Sequence, residues 1–272
     1  MDSSVLNDDL ALKTLRWCLV LAGFLFLVFR HRSLVDQVGL VREMALVIFA
    51  YFAYFAVRGA TVGSEARALA NADRVVSIER SLGIFREPGM QSVILEHGWL
   101  VDLMNWMYIW GHWPLIILVA VWLYFNWPAT YRLYRNAFLI SGAIGLVIFT
   151  IFPVAPPRLA DVDIIDTVTL HSRSYRVLQP PGLVNQYAAV PSLHFGWNLL
   201  IGMIFFTQGR SLMARSLGIA IPIVMFLAIV LTANHYIIDA AAGAVVALTG
   251  LMIATMLGYD ALSEQATWRE HG

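Results

Sequence analysis

The apolar run from Ile219 to Leu257 constrains this chain more than any other feature. It is far longer than the roughly 20 helical residues that cross a bilayer core. Near its middle stands Asn234-His235-Tyr236-Ile237-Ile238-Asp239. The run therefore predicts two helices, with a bend near Thr232 to Asn234 and with His235 and Asp239 at the mouth of the second. Ionisable groups in such a place are costly, so the pair reads as functional. On a helix, residues i and i+4 share a face, so Asp239 is expected to accept a hydrogen bond from one ring nitrogen of His235. The other nitrogen then keeps an outward lone pair, the state an activated histidine needs.

Composition agrees with a membrane solution. Of 272 residues, 59% are hydrophobic and 13% charged. Soluble domains are about half apolar and about a quarter charged. The expected fold class is all-α, a polytopic transmembrane helix bundle. A formal net charge of zero offers no basic surface for nucleic acid. The one cysteine, Cys18, leaves no intramolecular disulfide and no cysteine metal cluster. The acidic first residues, and no cleavage pattern after the first apolar run, predict no signal peptide.

Seven apolar runs are legible, at 15–29, 41–57, 101–125, 136–152, 192–207, 215–233 and 235–258. No repeat or low-complexity linker divides them, so a single membrane domain is expected. Within it, residues 1–37 carry an extra N-terminal span, 38–258 the main bundle and 259–272 a cytoplasmic tail. Arg30, Arg32 and Arg42, then Arg132 and Arg135, then Arg210 and Arg215 fall in alternate loops. Their positive excess predicts that side to be cytoplasmic. The segments 58–100 and 153–191 and the bend near Asn234 then face outward. Segment 58–100 reads as one or two interfacial helices interrupted at Gly83 and Pro88-Gly89. Val75, Val76, Ile78, Leu82 and Phe85 would lie against lipid or the bundle, with Arg74, Glu79 and Arg80 toward water.

Three polar groups are expected to meet at the outer mouth. The first is the turn Ala155-Pro156-Pro157-Arg158, where the prolines stop the fourth span and present Arg158. Its planar fork suits a pair of phosphate oxygens; a snorkelling headgroup anchor is the plainer reading. The second is Pro191-Ser192-Leu193-His194 at the start of the fifth span. A helix start supplies free N–H groups for an anion, Ser192 a hydroxyl and His194 a proton donor or acceptor. Asn198 follows on the same face. The third is His235 with Asp239. A histidine–carboxylate pair also orients metal ligands, but no third ligand stands at metal-site spacing, so no metal and no cofactor is expected. In the third span, Asn105, Tyr108 and His112 share one helical stripe. They would contact a lipid headgroup, brace the histidines, or bond between helices.

Pro-Ser-Leu-His, followed about forty residues on by His-Tyr-Ile-Ile-Asp, resembles the second and third signatures of the type 2 phosphatidic acid phosphatase superfamily. The Ala-Pro-Pro-Arg turn and the Asn-His-Tyr form of the last motif look more like the branch with the fungal inositol phosphorylceramide synthases. The resemblance covers about 100–258. It implies a six-helix catalytic core, with the first span an addition, and a metal-independent enzyme. It implies that His235 attacks phosphorus, that Asp239 orients it, and that His194 protonates the leaving alcohol and then activates the acceptor. Arg158 and Ser192 would hold phosphate oxygens of a lipid substrate. Two departures stand out. Many phosphatases of the superfamily carry a Lys seven residues before the signature Arg and an Arg six residues before the nucleophilic His. Here those positions are Ile151 and Ile229. Arg173 and Arg176 are candidate replacements. A phosphodiester donor carries one charge fewer than a monoester, so the deficit leans toward phosphotransfer. The other class that intramembrane His and Asp allow is a transporter or lipid-binding protein. Against a transporter, spans five and seven turn apolar below Asn198 and Asp239, and inverted repeats are missing.

Overall fold

The computed structural model describes residues 34–60, 63–171 and 185–271. The chain divides into two compact units, Met1–Phe52 and Ala53–Gly272, and the candidate site lies wholly within the second. The expected run at 15–29 and the loop arginines Arg30, Arg32, Arg173 and Arg176 fall outside the described residues.

The described chain is helical, as expected. Its helices are α1 (Leu34–Ala60), α2 (Glu65–Ser81), α3 (Glu87–Leu95), α4 (Gly98–Trp110), α5 (Trp113–Asn126), α6 (Pro128–Ile151), α7 (Thr167–His171), α8 (Leu193–Gln208), α9 (Leu212–Leu231) and α10 (Ile237–His271). Four are long and apolar enough to cross a membrane: Gly39–Gly59 within α1, all of α6 and α9, and Ile237–Gly258 within α10. This is a multi-pass membrane protein. The run expected at 101–125 is not one straight helix. It breaks into α4 and α5, bent by 48°. The cause is local: Pro114 lacks the N–H that a continuous helix would use, and it disfavours helical geometry before it. Helix α8 has 16 residues, short of the roughly 20 of a full span.

The helices that carry the site approach closely at small residues, as membrane bundles do where apolar burial against lipid gains little. A Cβ at Gly243 in α10 would run into the Ser192 carbonyl at the start of α8. One at Gly196 in α8 would run into the Gly243 carbonyl. The two glycines let α8 and α10 touch backbone to backbone, one turn below His194 and Asp239.

Helix α2 is amphipathic, with one face exposed and the other tied to the bundle. Ser64 caps it by accepting from the Arg67 N–H. Its buried stripe is Ala68, Asn71, Ala72, Val75, Val76 and Glu79, at helical spacing. The expectation that Glu79 faces water is wrong: it is fully buried. Ile78 and Leu82, expected against lipid or the bundle, do not pack in the bundle and are exposed. The stripe packs on Val154, Ala155, Val162, Ala189 and Tyr236. Polar bonds lock the same contact: Asn71 Nδ2 donates to the Pro153 carbonyl at 2.8 Å, and Arg67 Nη2 to the Ile151 carbonyl at 2.7 Å.

Candidate active site

Three turns that close one end of the bundle build the site. The first follows α6. Pro157–Leu159 forms a single 3-10 turn, and the Arg158 N–H donates to the Ala233 carbonyl at 3.0 Å. The Arg158 side chain donates through Nη1 to Asn234 Oδ1 at 2.7 Å and lies 3.7 Å from Asp166 through Nε. The signature arginine is thereby tied to the turn that carries the signature histidine.

The second turn opens α8. Ser192 caps that helix: its hydroxyl accepts from the Phe195 N–H and is fully buried. Ser192 is absent from the pocket lining, so its local role is to start the helix rather than to reach a ligand. His194, the second residue of the helix, does line the pocket. Its ring stacks on Tyr108 at 4.6 Å and lies tilted against His112 at 4.2 Å between centroids. Asn198 Nδ2 donates to the His194 carbonyl at 2.9 Å and lies 3.2 Å from His112 Nδ1. A carbonyl only accepts, so it fixes the Asn198 amide with its NH2 toward both groups. His112 Nδ1 is then an acceptor, and in the neutral ring the proton sits on Nε2.

The third turn joins α9 to α10. The Ile229 carbonyl accepts from both Asn234 and His235 N–H groups, and Ala233 takes a positive φ of 60°. Such a backbone is costly for a residue with a Cβ and marks a tightly determined turn. Asn234 Nδ2 ties it back to the Thr232 hydroxyl at 2.9 Å. Helix α10 begins at Ile237, so His235 stands in the turn before it rather than on its first face. The link to Asp239 nonetheless forms: His235 Nδ1 lies 3.3 Å from Asp239 Oδ2 and 2.8 Å from the Ala189 carbonyl. Asp239 Oδ2 also accepts from the Tyr236 N–H at 2.9 Å. Because the Ala189 oxygen only accepts, Nδ1 carries the proton. Nε2 is left with its lone pair.

These turns border an open cleft. Arg158, His194, Asn234 and His235 line it, as do Tyr108 and His112. The His194 and His235 rings are 5.9 Å apart. Asn105 is not brought to it. It is buried beneath α7, where Nδ2 donates to the Thr167 carbonyl and Oδ1 accepts from the Thr167 hydroxyl. Of the expected stripe, Tyr108 and His112 reach the pocket, while Asn105, one turn before Tyr108 on α4, is taken up by Thr167. Arg58, in the last turn of α1, is a lining residue that sequence reasoning missed. The departures also find a physical account. Ile229 is fully buried in an apolar cluster with Met104, Tyr108 and Met225, surroundings that would strip a guanidinium of water and partners. Ile151 is exposed at the end of α6. Among the described residues no three His, Cys, Asp or Glu converge as metal ligands.

A polytopic helix bundle that gathers Arg, His and a His–Asp pair at one end defines a multi-pass membrane protein with a histidine-lined pocket. The chain belongs to the PAP2 superfamily, whose family profile matches residues 73–253. Among solved structures, the crystal structure of Aquifex aeolicus LpxE is similar at 15% identity, with a TM-score of 0.49, over 64% of this chain and 94% of that one. No curated protein sequence matches this chain.

Proposed function

We propose that this protein is a membrane lipid phosphatase or phosphotransferase that works through a phosphohistidine on His235. The observation that carries the reading is the hydrogen bond from His235 Nδ1 to the Ala189 carbonyl. It holds the ring in the tautomer whose Nε2 is the nucleophile, in a pocket with two guanidinium groups. The Nε2 lone pair attacks phosphorus while the bond to the leaving oxygen breaks. His194 gives that oxygen a proton. Water or an acceptor hydroxyl then attacks phosphorus, its proton passes to His194, and the P–N bond returns its electrons to His235. Arg158 and Arg58 hold the non-bridging oxygens as charge builds on them. Asp239 and the Ala189 carbonyl orient His235, and Tyr108 and His112 brace His194.

Arg132 and Arg135 stand near the start of α6, and Arg210 and Arg215 at the start of α9, while the site-bearing turns follow the far ends of those two helices. With Arg132, Arg135, Arg210 and Arg215 cytoplasmic, the site faces the extracytoplasmic leaflet. Residues 38–258 are the catalytic bundle in this reading, and a lipid reaches the pocket with its tails left among the helices. A diester headgroup transferase of the inositol phosphorylceramide synthase type is the second reading. The loss of cations at Ile151 and Ile229 favours it, and the presence of Arg58 in the pocket weakens it.

A headgroup-release assay on purified protein tests the proposal, with lipid monoesters, diphosphates and diesters as substrates. Release that survives chelator and disappears in His235→Ala is expected. Full release by His235→Ala contradicts the nucleophile, and loss with chelator alone contradicts metal independence.

A further inference from the structure

Helix α10 begins on two buried carboxyl groups. Glu79 Oε1, from the end of α2, accepts from the Ile238 N–H at 2.7 Å. Glu87 Oε1, from the start of α3, accepts from the Ile237 N–H at 2.9 Å. Both side chains are fully buried. These are free N–H groups of a helix start, and no residue of the α10 turn itself caps them. They lie between His235 and Asp239 in sequence, so the two glutamates grip the segment that carries the nucleophile and its orienting acid.

The second oxygens decide the chemistry. Glu79 and Glu87 lie within hydrogen-bond reach of one another. Their Oε2 atoms are buried and accept from no donor among the described residues. The remaining titratable groups that face the pair are Asp239 from α10 and Tyr236 from the turn. Both are acids. The nearby Arg80 guanidinium is turned over the Phe85 ring, 5.0 Å from its centroid. Two buried carboxylates side by side with no cation cannot both ionise. One charge is welcome there, because the helix start carries a partial positive charge. A second is not. One proton on the pair solves the problem: it bridges the two Oε2 atoms, and both Oε1 atoms remain acceptors for the helix.

We propose that Glu79 and Glu87 are a proton-sharing carboxyl pair that positions His235 by clamping the first turn of α10. They are positioning residues, since neither lines the pocket. The inference rests on the phosphohistidine reading for its consequence but not for its geometry. Burial and the bond to Glu87 raise the Glu79 carboxyl from 4.5 to about 9. The folded protein therefore keeps a proton that the unfolded chain releases near 4.5. Between those values the folded state binds more protons, so the pair makes stability fall as pH rises across that window. Above it the pair loses its proton, the carboxylates repel and the clamp opens.

Two readouts test this. The first is the pH profile of turnover for the wild type, Glu79→Gln, Glu87→Gln and Glu79→Ala. Gln keeps an acceptor for the helix and a donor for its neighbour, with no proton to lose. Glu79→Gln should keep at least a third of the neutral-pH kcat and carry activity at least one pH unit further into the alkaline range. Glu79→Ala should lose ten-fold or more in kcat, with KM within three-fold. The second readout needs no turnover. The melting temperature in detergent should fall less between pH 5 and pH 9 in Glu79→Gln than in the wild type. A Gln variant as impaired as the Ala variant, or one with an unshifted alkaline limb, overturns the proposal. So does an unchanged melting slope. If Glu79→Ala does not fold, the two Gln variants still decide. If the wild type releases no phosphate from any lipid, the enzymatic reading fails and the melting slope alone judges the pair.

Discussion

His235 Nδ1 lies 2.8 Å from the Ala189 carbonyl oxygen, closer than its 3.3 Å to Asp239. The backbone, not the carboxylate, is thus the firmer constraint on the tautomer. Where an aspartate alone sets the tautomer of a catalytic histidine, Asp to Asn costs about 10⁴ in kcat. Here the carbonyl keeps Nδ1 protonated in the Asn variant. Asp239→Asn should therefore lose only about 10²-fold in kcat, the part due to the missing charge. Steady-state kinetics on the preferred lipid checks this. A loss as large as that of His235→Ala would show that Asp239 alone controls the ring.

The pocket holds Arg58 and Arg158 from separate elements. A monoester carries up to two charges and a diester one. Arg58→Ala should lower kcat/KM on a monoester by ten-fold or more and on a diester by less. Arg158→Lys should not restore activity, because a point charge cannot match the fork that already bonds Asn234. Equal losses on both substrate classes would show that Arg58 does not read phosphate charge.

The contact of α8 with α10 leaves no room for a methyl group at Gly243. Gly243→Ala forces the two helices apart at Ser192, two residues before His194. Overpacking of this kind costs about 1–3 kcal/mol. A lower melting temperature in detergent, with a matching loss of kcat, is expected. A variant that melts and turns over like the wild type would contradict the tight contact.

Much of the site was legible in the chain itself, for a physical reason. His194, His235 and Arg158 are polar groups beside prolines or breaks in apolar runs, and alternating spans bring such breaks to one end. Glu79 was not legible. Between Arg74 and Arg80 it reads as part of a solvated face, and only the tertiary fold shows α2 turned inward at that point. Arg58, at the end of an apolar run, looks like any interfacial arginine. The Ala189 carbonyl leaves no trace in side-chain pattern. Asn105 was drawn to the site by helical spacing alone, and spacing does not show that Thr167 of α7 packs there and takes both atoms of its amide.

The claim that His235 carries the phosphoryl group is tested most directly by rapid quenching during turnover under alkaline conditions, followed by peptide mass spectrometry. The predicted result is a phosphoryl adduct, or a phosphoryl-headgroup adduct from a diester, on the peptide containing His235. It should disappear in His235→Ala and build up in His194→Ala, where the second step has lost its base. An active protein with no adduct at His235, or with the adduct on another residue, would contradict the account.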